Sequence, residues 1–168
     1  MHDTCKRLAF WGALALSGLF ATGVSAQGLV KILVNEDLYD DLTGEIDEYV
    51  SDLQAEGYTT SLVTDTWSDP ADIRALLQAD LDDGLVGAVL VGEIPLALFN
   101  IPDKIHDDYR HDFHTPMYYM DLDGTWGGEI DGVFTTHTGS TDAEIWVGLI
   151  RAEELPGSGD ETLLLKNY

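Results

Sequence analysis

The apolar stretch Leu-Val-Gly-Ala-Val-Leu-Val, residues 85–91, decides the fold of this chain. A strand that is apolar on both of its sides is typical of the centre of a parallel sheet, where helices cover both faces. Three other short runs predict further strands, the first over 29–34, the second over 58–64 and the fourth over 144–150. Residues 85–91 are then the third and central strand.

Two helical patterns alternate with the first three strands. Between residues 40 and 56 the apolar residues fall on one helical stripe, and Gly57 is the expected C-terminal cap. Asp69 is the expected N-cap of a second helix, which begins with Pro70 and ends before Gly84. Such alternation predicts parallel strands joined by right-handed crossovers. We therefore expect a Rossmann-like α/β fold, with an open, mainly parallel four-stranded sheet, strand order 2-1-3-4 and helices on both faces.

The charge of the chain excludes one large class of partners. The sequence has 8 Lys and Arg against 31 Asp and Glu, which gives a formal net charge of −23. Binding to phosphate backbones requires clustered Lys and Arg, so we exclude nucleic acid as a main partner. Because 45% of the residues are hydrophobic, the chain has enough apolar material for a folded core despite its charge.

The amino-terminal residues have the pattern of a secretory signal peptide. Lys6 and Arg7 precede an apolar run over 8–24, and small residues at the end of this run predict cleavage after Ala26. The run is too short to favour a membrane span, and no later stretch is long enough for one. We expect residues 1–26 to be removed and the mature protein to be secreted to the extracellular space.

The mature chain lacks cysteine and stops inside a helical pattern. Cys5 is the only cysteine in the sequence, so its removal with the signal leaves no disulfide and no cysteine nucleophile. From Asp160 the sequence begins like a helix, and it stops at Tyr168 without a cap or a polar tail. We therefore expect residues 27–168 to be a portion of a longer protein, truncated at its C-terminus.

The clearest chemical pattern lies in the long insertion between the third and fourth strands. Asp-Leu-Asp-Gly at 121–124 is followed closely by two more carboxylates. Calcium takes six to eight oxygen ligands, and Asp at alternate positions before Gly lets two carboxylates turn around one ion. The spacing does not complete a helix–loop–helix calcium loop, and an Asp-Gly turn without an ion is the alternative. The predicted ligands of a structural calcium ion are Asp121, Asp123, Glu129 and Asp131.

Charged residues follow three of the predicted strands. Glu36 comes after the first strand, Glu93 after the third and Arg151 after the fourth. Ligands of open α/β sheets bind at the carboxyl ends of strands, near the point where the strand order reverses. A plain turn at Gly92 and Pro95 with a solvated Glu93 is the alternative. The sequence contains no G-x-G-x-x-G or G-x-x-x-x-G-K-[ST] motif, so nothing supports dinucleotide or ATP binding.

Three histidines of the insertion, His106, His111 and His114, lie close to several Asp residues. A transition-metal site is one interpretation, but their spacing matches no common zinc pattern and favours a hydrophilic loop. The sequence also lacks a G-x-S-x-G stretch, and no hydrolase dyad can be assembled from its histidines. We assign no catalytic residue to this chain.

Three stretches of the sequence carry a family resemblance. They are Val-Leu-Val-Gly-Glu-Ile-Pro at 89–95, Tyr-Tyr-Met-Asp-Leu-Asp-Gly-Thr-Trp at 118–126 and Glu-Ile-Trp-Val-Gly at 144–148. Their order and spacing resemble the amino-terminal part of gingipain-type cysteine peptidases, which have a caspase-like fold. The resemblance covers most of residues 29–168 and implies a caspase-like α/β subdomain.

The resemblance implies that residues 27–168 are the N-terminal subdomain of a secreted cysteine endopeptidase. In this family a second subdomain carries the catalytic His and Cys. Here that subdomain would lie beyond residue 168 and would bind the protein or peptide substrate, so this chain alone would be inactive. The resemblance also implies calcium, with Asp121 and Asp123 at the matching positions.

The sequence departs from the family pattern at two positions, which leaves other functions open. Met117 stands where the family often has an acidic residue, and Leu149 stands where it often has Arg. An inactive peptidase relative is therefore one alternative. Another is a self-contained, calcium-stabilised extracellular module that binds a protein or glycan without catalysis.

Overall fold

Four parallel strands form the main sheet of the computed structural model, which describes residues 26–102, 110–130, 132–152 and 161–166. Except for Ala26, the predicted signal peptide lies outside the described residues. In chain order the elements are β1 Leu29–Asn35, α1 Glu36–Ala55, β2 Thr59–Asp65, α2 Pro70–Ala79, β3 Leu85–Val91, β4 Leu98–Pro102, β5 Arg110–His114, α3 Met117–Met120, β6 Thr125–Gly127, β7 Val133–Phe134, β8 Thr136–Thr138, β9 Trp146–Ile150 and α4 Glu161–Lys166.

The main sheet has the strand order β2-β1-β3-β9, and every pair of neighbours is parallel. β9 corresponds to the fourth predicted strand, so the predicted α/β class and the strand order 2-1-3-4 are confirmed. α1 connects β1 to β2, and α2 connects β2 to β3. α1 supplies the crossover between the parallel neighbours β1 and β2, and α2 passes from β2 across β1 to β3 on its other side.

Helices cover both faces of this sheet because side chains alternate along each strand. On one face, which we call the α1 face, Ile32 of β1 packs in a cluster with Ile46 of α1. On the other, the α2 face, Leu33 of β1 packs in a cluster with Ile73 of α2. The α1 face also includes Val30, Val34, Leu42, Val89, Val91 and, from α4, Leu165.

Polar side chains at the helix starts cap both long helices. Asn35, the last residue of β1, accepts a hydrogen bond at Oδ1 from the Asp37 amide, 2.9 Å away. α1 therefore begins at Glu36, earlier than the apolar spacing predicted, because the cap is itself the last residue of the strand. Asp69 caps α2 as predicted, and its Oδ1 accepts from the Ala71 amide at 2.8 Å.

An ion pair between a buried lysine and a half-buried aspartate joins β1 to the end of α2. Lys31 lies on the α2 face, and its Nζ donates to Oδ2 of Asp80 at 2.6 Å and to the Leu76 carbonyl at 3.3 Å. A buried ammonium group without such acceptors would be strongly unfavourable. The pair therefore fixes α2 against the sheet.

The insertion between β3 and β9 forms short strands and packs on the α2 face. β4 pairs with β5 and β7, and β6 pairs with β8. The ring of Tyr118 stacks on Phe134 with centroids 4.9 Å apart, and Trp126 packs edge-to-face on Tyr118 at 5.4 Å. Tyr119 and Leu122 belong to the same hydrophobic cluster as α2. This part of the chain is therefore a component of the core.

Candidate functional site

Asp121 is the buried centre of the predicted calcium motif. Its side chain is fully buried, and Oδ1 accepts a hydrogen bond from the Gly124 amide at 2.8 Å, which closes the turn. A Cβ atom at Gly124 would lie 2.3 Å from Oδ2 of Asp121, so the turn requires glycine there. Oδ2 also lies 2.5 Å from Nε2 of His137, a residue of β8. Both carboxylate oxygens of Asp121 therefore have partners within the protein.

Three carboxylates converge beside this turn, namely those of Asp121, Asp123 and Glu144. One oxygen from each lies within 4.8 Å of the others, so the group has the dimensions of a cation site. Asp123 and Glu144 are exposed, and Oε2 of Glu144 accepts a hydrogen bond from the Leu122 amide at 2.6 Å. A hard cation such as calcium prefers ligands of this type.

The carboxylates that converge in the structure match the predicted calcium ligands only in part. The fold brings Asp121 and Asp123 together as predicted, but the exposed Glu129 is not in the group, and Asp131 lies outside the described residues. Glu144 was not predicted as a ligand. It directly precedes β9, and only the packing of the insertion against that strand brings it to the turn.

Arg74 of α2 holds the main chain of the same turn. Its Nε donates to the Tyr118 carbonyl at 3.1 Å, and its Nη2 donates to the carbonyls of Asp121 at 2.9 Å and Gly124 at 2.8 Å. Nε2 of Gln78 donates to the Leu122 carbonyl at 2.7 Å. These carbonyl oxygens face α2, so a cation held by the carboxylate group would rely mainly on side-chain oxygens and water.

Tyr119 connects the insertion to the loop that follows β3. Its hydroxyl donates a hydrogen bond to the Pro95 carbonyl, and its side chain is fully buried. Burial is the main cause that raises the pKa of Tyr119 far above its ordinary value. The hydroxyl therefore keeps its proton at any physiological pH and remains a donor.

The predicted strand-end residues lie at the other end of the sheet. Glu36 and Glu93 are exposed and follow β1 and β3, at the edge where the strand order reverses. Between them, Nδ2 of Asn35 donates to the Glu93 carbonyl at 3.1 Å. Gly92 has a φ of +86°, and a Cβ atom there would lie 2.5 Å from Cδ1 of Leu38. The backbone is therefore tightly packed at this edge.

Arg151 follows β9 and is half-buried. Its positive charge opposes, in part, the rise in the pKa of Tyr119 that burial causes. Because β9 is parallel to β3, Arg151 follows the same carboxyl edge of the sheet as Glu36 and Glu93.

The histidines do not form a metal site within the described residues. His111 and His114 belong to β5, so the predicted hydrophilic loop is wrong at these positions, and His106 lies outside the described residues. Residues three apart on a strand point to opposite faces. His111 and His114 therefore cannot bind one ion from a single face of β5.

Comparison with family models, with curated proteins and with solved structures gives no match for this chain. Within the described ranges, no helix is both long and apolar enough to cross a membrane.

The three hydrogen bonds of Arg74 give a stability prediction. Arg74→Ala leaves three main-chain carbonyls without their charged donor, and we expect it to lower the free energy of unfolding by about 3 kcal/mol. The measurement is urea unfolding followed by circular dichroism. Asp82→Ala, at an exposed position in the turn after α2, is the control and should change the value by less than about 0.5 kcal/mol. Equal effects of the two substitutions would contradict the role given to Arg74.

Proposed function

We propose that residues 27–168 are the N-terminal α/β subdomain of a secreted, gingipain-like cysteine endopeptidase. In this proposal the subdomain is not catalytic by itself, because the only cysteine of the sequence is Cys5, within the predicted signal peptide. The catalytic His and Cys would belong to a second subdomain, which would also bind the protein or peptide substrate. A caspase-like subdomain is compatible with the parallel sheet and its strand order.

The observation that carries the proposal is that the three stretches with the family resemblance contact one another. Residues 89–95 and 144–148 are neighbours in the sheet, where Val89 is paired with Gly148. The Tyr119 hydroxyl joins residues 118–126 to the first stretch, at the Pro95 carbonyl.

The second and third stretches are joined by the main chain and by a carboxylate. The Glu144 amide donates to the Met120 carbonyl at 3.0 Å, and the Leu122 amide donates to Glu144 Oε2 at 2.6 Å. Stretches far apart in the sequence therefore form one connected unit. A shared structural role explains why they occur together, and this supports the resemblance as more than three separate short matches.

The test uses the protein as it is secreted. We expect an antibody raised against residues 27–168 to capture from the culture medium a protein heavier than the 18.4 kDa chain. This protein should hydrolyse peptide substrates and lose its activity on treatment with iodoacetamide, because a thiolate is the nucleophile. Recombinant residues 27–168 should be inactive in the same assay. A captured protein with the mass of residues 27–168 and no thiol-dependent activity would contradict the proposal.

The group of Asp121, Asp123 and Glu144 favours a second candidate, a calcium-stabilised extracellular binding domain without catalytic activity. The carboxylate of Glu144 stands at the amino end of β9, whereas ligands of open α/β sheets bind at the carboxyl ends of the strands. An ion at this position would join the turn to β9 and stabilise the fold without touching a substrate. We therefore propose calcium as a structural ion, which is compatible with either candidate function.

Calcium binding predicts a change in thermal stability. A ligand at about one hundred times its Kd adds about 2.7 kcal/mol, so Tm should be roughly 5–10 °C higher with calcium than with chelator. Glu144→Gln keeps a hydrogen-bond acceptor for the Leu122 amide but removes a charged ligand, and it should abolish most of this difference. Glu129→Gln is the control and should retain it. The site would be refuted by an unchanged Tm in the original chain, or by loss of the difference in both variants.

A further inference from the structure

An apolar groove opens between α1 and α4 on the α1 face of the sheet. It has a volume of about 230 Å³. Small-molecule sites usually have about 300–1,000 Å³, so this groove suits one or two apolar side chains better than a separate small ligand. Its lining consists of Leu42, Glu45, Ile46, Tyr49, Val91, Ile150 and Leu165.

Open surface continues from the groove along β9. Alternate residues of a strand share a face, so Trp146 and Gly148 lie on the same side as Ile150. Trp146 is 40% exposed, although its ring packs over Gly87. A Cβ atom added at Gly148 would meet no atom within 4 Å. The groove is therefore the deep end of a longer strip, which is suited to an extended polypeptide segment.

Exposed carboxylates line the groove side of α1. They are four, three and four residues apart, and this spacing places them in one line along a helix. Glu45 belongs both to this line and to the groove lining. The pKa of the Tyr49 hydroxyl in the groove is raised by burial and by the nearby charge of Glu56. We call the line the carboxylate stripe, and its members are Asp41, Glu45, Glu48 and Asp52.

The carboxylates of the stripe form no ion pair in the described part of the chain. α1 itself contains no Lys or Arg. Lys31 is paired with Asp80, and Arg74 is bound to main-chain carbonyls. Lys166 of α4, next to Leu165 of the groove, is exposed and forms no ion pair with the stripe. Like charges at adjacent turns of a helix repel one another. The negative charge beside the groove is therefore available to a partner.

We propose that the groove and the carboxylate stripe dock a basic, amphipathic polypeptide segment. Its apolar side chains fill the groove, and its Lys or Arg side chains face the stripe. A second copy of this chain is a poor occupant, because each copy has a net charge of −23 and the two repel each other. This inference does not depend on the proposed peptidase activity.

Fluorescence anisotropy with three labelled peptides tests the proposal on the full chain. The first peptide alternates leucine and lysine, so that an extended chain has one apolar side and one basic side, the second has serine for leucine, and the third has glutamate for lysine. We expect only the first to bind, more weakly at high salt because salt screens the charges. Equal binding of the serine peptide would overturn the role of the groove, and binding of the glutamate peptide would overturn the role of the stripe.

Two double variants distinguish the effect of the stripe's charges on binding from the effect of the chain's total charge. Glu45→Gln with Asp52→Asn removes two charges from the stripe, and Asp40→Asn with Asp47→Asn removes two from the opposite side of α1. We expect the first pair to weaken binding about tenfold, the equivalent of ~1.4 kcal/mol, and the second less than about twofold. Equal losses would mean attraction by total charge alone and would overturn the proposal. Absence of binding by the first peptide, or self-association of the chain through this face in sedimentation, would also overturn it.

Discussion

The guanidinium group of Arg74 connects the sheet and the insertion, the two parts on which the remaining structure depends. It extends from α2, which packs on the sheet, to three carbonyl oxygens between Tyr118 and Gly124. These bonds hold the turn in which Asp121 is buried and position Leu122 to donate to Glu144, directly before β9. The chain has 8 Lys and Arg against 31 acidic residues. Arg74 nevertheless binds main-chain carbonyls rather than a carboxylate.

The main sheet could be predicted because its signals are local. Residues 85–91 are apolar on both sides, and the alternation of strand and helix leaves few possible topologies. The start of α1 was missed because its cap, Asn35, is also the last residue of β1 and no loop separates the two elements. The strands of the insertion could not be predicted because they are too short to show an alternating apolar pattern. Their aromatic side chains pack in the cluster that contains α2, and this packing leaves no period of two in the sequence.

The candidate site could be predicted only where its residues are close in sequence. The pair Asp121 and Asp123 is visible as a motif, whereas Glu144, His137 and Arg74 reach the turn through tertiary packing. Arg74 and Asp121 are 47 residues apart in the sequence, and no motif has a spacing that would connect two residues so distant. The same limitation applies to the groove, since α1, β3, β9 and α4 each contribute to it and no single element shows it.

Amide hydrogen exchange tests most directly whether the insertion and the sheet form one cooperative unit. The amides of Leu122, Gly124 and Glu144 donate the hydrogen bonds that close the turn and join it to β9. If the unit is cooperative, their opening free energies should equal those of the β3 amides, since both would open only in global unfolding. Exchange of these three amides at a much lower opening free energy than β3 would contradict this, because the turn would then open while the sheet stays folded.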